Sequence, residues 1–367
     1  MKYYSLKNIL NKKCRYNLIF GERSNGKTYS VNEYGVKNYF KTGKKMAVIR
    51  RFREDFKGKR GGAYFDSLVY NGDGENKIKE WSGGKYDHVV YTSGKWYMSY
   101  FDEELEKNVI APEPFAYAFS LTEMEHEKGN SYPDITTILF DEFMSRMYLP
   151  DEFVLFMNML STIIRQRNDV IIFMCANSID MIGCPYFKEM GLKHVKEMKK
   201  GDIDVYEYGD SGLKLAIEYS DSPNISKPSD IYFAFDNKNL KLQMITSGAW
   251  ELDIYPHITQ TIEKKDIIFS YFILFDDQTL QADIVLKDKE TFTYIHPKTT
   301  PIKYEDKDLI FTTEANTMTN YMGRLTRPIN KASKKLYWYF AVNKVFYSDN
   351  QTGEVVAHYL YWCNNNR

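Results

Sequence analysis

Cysteine is scarce in this chain, with four among 367 residues (Cys14, Cys175, Cys184 and Cys363) and no C-x-x-C pair. That spacing supports neither a disulfide framework nor a cysteine zinc site, and it leaves buried free thiols as the expectation. The six histidines include no H-E-x-x-H, so the other common zinc signature is missing too. No apolar run approaches the ~18–20 residues of a membrane helix, which excludes membrane spanning. The opening stretch, Met1 to Lys7, has no apolar core followed by a small-residue cleavage site, so a cytoplasmic protein is expected. Net charge is also lacking, at 49 Lys+Arg against 49 Asp+Glu, but the balance hides an asymmetry. Residues 1–60 hold 17 bases against 4 acids, whereas 201–230 holds 7 acids against 2 bases. A basic field of this kind attracts polyanions such as nucleic acid, and a merely solvated basic face has the same composition.

What is abundant is aromatic: 30 tyrosines and 23 phenylalanines point to a β-rich portion or an extensive interaction surface. Apolar content of 43% with 27% charged residues is globular and excludes disorder. At about 150 residues per domain the length fits two domains. The first 200 residues alternate short apolar runs with helical stretches, the α/β pattern of a parallel sheet with crossover helices. Strands are expected at 16–20, 46–50, 88–91, 96–101, 115–121, 137–141 and 170–175, the pair around Ser93-Gly94 forming an inserted hairpin. Between the last two, residues 151–165 place Phe153, Phe156, Met157, Leu160, Ile163 and Ile164 at helical spacing behind Pro150 and a capping Asp151. The expected domains are 1–198, an acidic Gly- and Pro-containing linker at 199–230, and a second domain at 231–367 that opens with an antiparallel meander, 267–275, 281–286 and 291–295.

The chemistry is concentrated in Gly21-Glu22-Arg23-Ser24-Asn25-Gly26-Lys27-Thr28, a full G-x-x-x-x-G-K-[ST] between an expected strand and an expected helix. Glycines let backbone N–H groups wrap phosphates, Lys27 reaches the β and γ oxygens, and the Thr28 hydroxyl ligates Mg2+, so ATP and Mg2+ are the expected ligands. Its counterpart is Thr136-Thr137-Ile138-Leu139-Phe140-Asp141-Glu142, an apolar strand that delivers Asp141 to the metal and Glu142 to the attacking water at the carboxyl edge of the sheet. A glutamate beside the metal-binding aspartate favours hydrolysis over phosphate transfer to a small molecule. Asn177, at the end of the 170–175 strand, is a candidate γ-phosphate sensor or simply a turn residue. Arg165 and Arg167 either supply charge in trans or complement a helix C-terminus. Arg50, Arg51 and Arg53 either contact phosphate, a neighbouring subunit or DNA, or form a solvated loop.

These residues resemble the DNA-packaging ATPases of small tailed phages of the phi29 kind. The resemblance lies in residues 17–30, Val48-Ile49-Arg50-Arg51-Phe52, the block from Ser131-Tyr132-Pro133 to Asp141-Glu142-Phe143, Tyr148-Leu149-Pro150, Ile164-Arg165-Gln166-Arg167, Ala176-Asn177-Ser178 and Pro185-Tyr186-Phe187, spread over about 170 residues. It implies an additional-strand ATPase domain followed by a smaller α+β, RNase H-like domain that has lost its nuclease site. It further implies a homomeric ring, a pentamer, that docks from the host cytoplasm on the portal vertex of a prohead and drives double-stranded DNA inside, with a structural packaging RNA as an open partner. Arg165 then matches the trans-acting arginine finger. The first strand of an RNase H-like nuclease needs a mid-strand carboxylate, and residues 267–275 have none; Asp276 and Asp277 follow it in a turn. Arg324, Arg327, Lys331, Lys334 and Lys335 form a basic cluster that faces DNA, RNA, the portal or solvent. The rival expectations are a terminase large subunit with an active nuclease and a nucleotide-switch assembly protein that does not hydrolyse.

Overall fold

The computed structural model describes residues 4–22, 25–70, 74–104, 106–127, 129–145, 148–177, 184–221, 255–258 and 261–365. The chain divides into two compact units, the first holding the described residues up to 221 apart from Cys184, the second holding those from 255 onward together with Cys184. The first unit carries a ten-stranded sheet. Its strands are β1 (Tyr16–Gly21), β2 (Lys45–Arg50), β3 (His88–Thr92), β4 (Lys95–Asp102), β5 (Lys107–Ile110), β6 (Ala116–Ser120), β7 (Ile135–Asp141), β8 (Ile171–Asn177), β9 (Ile203–Tyr208) and β10 (Leu213–Ser220). Their order is β3-β4-β6-β2-β7-β8-β1-β10-β9, with β5 also on β4. From β6 to β10 every neighbouring pair is parallel. The β3–β4 hairpin and β9 are antiparallel additions at the two sides. β8 follows β7 in sequence but lies between β7 and β1, the additional strand that the resemblance implies.

The central strands are apolar without alternation because they are covered on both faces. Leu18, Ile19 and Phe20 of β1 and Ile138, Leu139 and Phe140 of β7 are all fully buried. Helix α1 (Lys27–Thr42) sets Val31 and Val36 into the core that holds Ile19, Val48, Trp96 and Leu139. Helix α2 (Glu152–Ile164) buries Phe156, Met159, Leu160 and Ile163, so Met159 rather than Met157 faces the core. Phe156 stacks on Phe140 with ring centroids 4.9 Å apart, which fixes α2 against β7.

The linker expected at 199–230 is overturned across 203–220, where β9 and β10 continue the sheet. Leu215, Ala216 and Ile217 are buried beside β1. The acidic flanks of this segment read as a connector, whereas its short apolar centre is enough for a strand that has a parallel neighbour on one side and β9 on the other. Residues 222–230 of the expected linker lie outside the described residues.

One buried ion pair fixes the turn out of β7. Arg51 contacts Glu152 through two bonds of 2.7 Å, Nε to Oε2 and Nη2 to Oε1, and donates to the carbonyls of Glu142 (3.1 Å) and Phe143 (2.9 Å). Glu152 also accepts from the Tyr186 hydroxyl (2.7 Å) and the Leu149 N–H (2.8 Å). Arg51 is therefore a buried strut, not a free basic residue.

The second unit has a sheet of β11 (Ile267–Phe275), β12 (Gln278–Lys287), β13 (Glu290–Pro297), β14 (Ile310–Thr312), β15 (Tyr321–Met322) and β16 (Val345–Tyr347), ordered β15-β14-β11-β12-β13-β16. The first three form the expected antiparallel meander, and β14, β15 and β16 are added in parallel. Asp276 and Asp277 are the turn between β11 and β12, both left-handed with φ of 52° and 59°. Helices α3 (Lys331–Ala341) and α4 (Asn350–Asn365) contribute Leu336, Val355, Val356, Tyr359 and Cys363 to a core with Tyr271, Ile273, Ala282, Ile284 and Ile295. Asp283 alternates with Ala282 and Ile284 and so lies on the opposite face of the meander, beside the buried Val285 and Phe272. Asp283 accepts from Ser270 (2.6 Å) and Gln281 (2.9 Å) and pairs with His296 Nε2 at 3.3 Å.

Two consequences can be measured. Replacing Arg51 with Met strands the Glu152 carboxylate and should cost about 3–5 kcal/mol of unfolding free energy in urea, part of which returns when Glu152→Gln removes the charge. A double variant no more stable than Arg51→Met would mean that the carboxylate is not what destabilises the single variant. The hydrogen bond to Asp283 raises His296 above its ordinary 6.5, so the pair stabilises the unit fully below pH 6.5 and ceases to as pH rises through the raised value. Thermal unfolding between about pH 6 and 8 should thus show a loss of stability that His296→Gln flattens.

Candidate active site

The phosphate loop follows β1 because β1 ends where the chain must turn sharply into α1. Gly21 lies so close to β10 that a Cβ would sit 2.2 Å from Ser220 Oγ. Gly26, the residue before α1, is left-handed with φ 93° and ψ 14°, a conformation glycine adopts without strain. Lys27 is 5% exposed. Its Nζ donates to the carbonyls of Gly21 (3.2 Å) and Glu22 (2.6 Å) and to Asn25 Oδ1 (3.0 Å). Burial pulls its ammonium down to about 8, against the opposing charges of Asp141 and Glu22. The Glu22 carboxylate is turned away, to Lys200. Arg23 and Ser24 lie outside the described residues.

Across the sheet, β7 delivers Asp141 at 3% exposure to the same carboxyl edge. The Thr28 hydroxyl donates to Asp141 Oδ1 at 2.8 Å. Asp141 Oδ2 accepts from Arg50 Nη2 at 2.6 Å and from the Tyr64 hydroxyl at 3.1 Å. β2 lies beside β7 with Ile49 opposite Phe140, so Arg50 comes next to Asp141 by register alone. Arg50 also reaches Glu142 Oε2 at 3.4 Å, and its guanidinium lies 5.6 Å from the Tyr64 ring centroid. Its Nε is buried without a hydrogen-bond partner among the described residues. Glu142 is left-handed at φ 63°, its N–H bonded to the Cys175 carbonyl at 2.7 Å and its side chain 59% exposed. Backbone strain of this kind costs about 1–3 kcal/mol and collects at functional sites.

Lys27, Thr28, Arg50, Tyr64, Asp141, Glu142, Ala176 and Asn177 line one cleft. The structure thus brings together Lys27, Thr28, Asp141, Glu142 and Asn177, and it adds Arg50 from among the sequence alternatives. Tyr64 was not foreseen; it comes from short helical turns with no periodicity that points it at the cleft. Ser220 was hidden in the supposed linker, although the apolar 215–217 run before it is a usable strand signal.

Arg165 is not in this cleft. It ends α2 at the opposite, amino edge of the sheet, where its Nη2 donates to the Asn130 carbonyl at 2.6 Å. Its backbone, at φ 55° and ψ −126°, is in a region that favours glycine. Arg167 is a brace, donating to the carbonyls of Ile135 (2.6 Å) and Pro133 (2.9 Å). Arg53 is exposed and paired with Glu123. In the second unit Arg327, Lys331, Lys334 and Lys335 are exposed and Arg324 lies 5.9 Å from the Trp362 ring centroid.

Among the described residues no helix is long and apolar enough to cross a membrane. The chain is 27% identical over 214 residues, 57% of its length and 56% of the relative's, to a DNA packaging protein of Bacillus phage B103. It spans about half the length of the curated relatives it matches. In fold it is similar to a solved chain of the bacteriophage Phi-29 viral genome packaging motor assembly, with TM-score 0.58, 19% identity and 98% of each chain covered. It is likewise similar to a chain of the Phi-28 gp11 DNA packaging motor, with TM-score 0.54, 19% identity, and 100% of this chain and 99% of the other covered. The family model described as Podovirus DNA encapsidation protein (Gp16) matches residues 1–363, and the chain belongs to that family.

Proposed function

We propose that this chain is the ATP-hydrolysing subunit of a ring motor that drives double-stranded viral DNA into a prohead. The observation that carries this reading is the convergence of Lys27, Thr28, Asp141 and Glu142 on one cleft of an additional-strand sheet.

The loop N–H groups and Lys27 Nζ bind the β- and γ-phosphates of ATP, the lysine exchanging loop carbonyls for phosphate oxygens. Thr28 Oγ1 and Asp141 are hard oxygen donors already 2.8 Å apart, the pair that would hold Mg2+. The ion supplies neutralisation of the phosphate charge. Glu142, exposed and lining the cleft, orients and polarises the attacking water; Asn177, which lines the same cleft, touches the γ-phosphate or that water. β7 spans seven residues at about 3.3 Å each, which separates Arg165 from the Asp141 of its own chain by roughly 20 Å. Arg165 thus fits a neighbour's site, not its own, and a homomeric ring, the pentamer that the resemblance implies, repeats that pairing at each subunit boundary.

In the second unit, the order β13-β12-β11-β14-β15 with an antiparallel meander and parallel outer strands supports an RNase H-like domain. β11 carries no carboxylate, and Asp283 is bonded to Ser270, Gln281 and His296, so the unit serves for grip or docking without cleavage. The exposed basic face of α3 suits a polyanion, either the DNA backbone or a packaging RNA. Docking on the portal from the host cytoplasm follows from the same reading.

Lys27→Ala should lose ATP binding, and Glu142→Gln should bind ATP with negligible turnover. Arg165→Ala should bind ATP normally while turnover falls by about 10³-fold or more. Mixing Arg165→Ala with Lys27→Ala subunits should restore part of the DNA-stimulated hydrolysis, because each supplies what the other lacks. Normal turnover by Arg165→Ala alone would overturn the finger assignment, and no ATP turnover by the parent chain with DNA at any protein concentration would overturn the motor.

A further inference from the structure

The side of the phosphate loop that faces away from the cleft is held by groups that the proposed hydrolysis does not use. Ser220, the last residue of β10, is 1% exposed. Its hydroxyl donates to the Phe20 carbonyl at 3.0 Å and accepts from Asn25 Nδ2 at 2.9 Å. The other end of the Asn25 amide, Oδ1, accepts from Lys27 Nζ at 3.0 Å and from the Lys27 N–H at 3.3 Å. The Asn25 carbonyl accepts from the Tyr4 N–H at 2.9 Å, and the Tyr4 hydroxyl donates to Glu218 on β10 at 2.6 Å. The loop is thus bonded to β10 directly through Ser220 and, through Tyr4, by a second route.

We infer that the Asn25–Ser220 pair is a relay that carries nucleotide occupancy from Lys27 to β10, the last strand described before the second unit; the inference rests on the ATP reading above. An amide side chain presents an acceptor at one end and donors at the other, so one Asn can answer to a lysine and a hydroxyl at once. Phosphate oxygens that draw Lys27 Nζ to themselves remove a charge-assisted bond from Asn25 Oδ1, roughly twice as strong as a neutral one. The amide is left with the Lys27 N–H at its acceptor end and turns to improve that bond. Its Nδ2 moves with it, and the Ser220 hydroxyl, also tied to Phe20, must follow or let go. The contact is tight enough to transmit this motion, since the Ser220 hydroxyl occupies the space that a side chain on Gly21 would need. Ser220 is thus a positioning residue: it touches neither phosphate nor the water-activating group.

The test is amide hydrogen exchange over residues 213–221 of the full chain, with and without ATP in a Glu142→Gln background, alongside direct ATP binding. In that background ATP should change exchange across β10. Adding Ser220→Ala should leave ATP binding within about fivefold, the worth of one neutral hydrogen bond, yet make β10 exchange indifferent to nucleotide. Ser220→Thr, which keeps the hydroxyl, should restore the response. A β10 response to ATP that survives in Ser220→Ala would overturn the relay, as would bound ATP that leaves β10 exchange unchanged where Ser220 is present. Failure of ATP to bind the parent chain would instead overturn the ATP reading itself.

Discussion

The hydrogen bond between Thr28 Oγ1 and Asp141 Oδ1 joins residues 113 positions apart and exists only because the sheet is built in a particular order. β1 and β7 point the same way, so the loop after one and the acid ending the other reach a common edge. β8 between them sets their separation at two strand spacings, roughly 9.6 Å. That gap is spanned by the phosphate loop folding back over the edge into α1, whose second residue is Thr28. Were β1 and β7 direct neighbours, the loop and the acid would crowd the same space; with another strand between, the hydroxyl would fall short. The apolar character of β1, β7 and β8 is thus a condition on the chemistry as well as on the core.

The same edge gathers Asp141, Glu142 and Glu152 within reach of Arg50 and Arg51, and the two arginines divide the work. Arg51 and Glu152 have side chains almost entirely removed from water, where an unpaired charge is costly, and their two parallel bonds leave little freedom. This pair fixes the turn that presents Glu142 by holding its carbonyl. Arg50 lines the cleft and shares Asp141 with Thr28 and Tyr64. One arginine therefore belongs to the frame and the next to the site, although they are adjacent in a strand end whose sequence treats them alike.

Much of the frame was legible from sequence because its signals are local. The phosphate loop stands between an apolar strand and a helix, and the 137–141 strand ends in two acids, so pattern and context agree before any tertiary information. The meander of the second unit was legible for the same reason, from apolar runs and the Asp276-Asp277 turn. What stayed hidden depends on neighbours far along the chain. β10 has only a short apolar centre between acidic flanks, and it is a strand because β1 lies beside it. The partners of Arg51 lie about a hundred residues away, and nothing near Tyr64 in sequence marks it as a ligand of Asp141. The expected linker failed on this point: composition describes a segment's own chemistry, while strand formation at a sheet edge is decided by the partner.

The position of Arg165 limits what a single subunit can do under the proposed mechanism. α2 begins at the phosphate edge, where Glu152 meets Arg51, and thirteen residues carry it back to the amino edge. The connection that sends the chain from β7 to β8 therefore also moves Arg165 away from its own nucleotide. Bringing it back would mean unwinding α2 from Phe140 and breaking the backbone cap in which the Arg165 N–H bonds the Ser161 carbonyl at 3.0 Å. The residue sits instead in a strained, glycine-favouring conformation at an exposed corner. A second copy placed with its phosphate edge against this corner would give that strain a use. Under that proposal hydrolysis would proceed only where two subunits meet, and ring closure would be part of the active site.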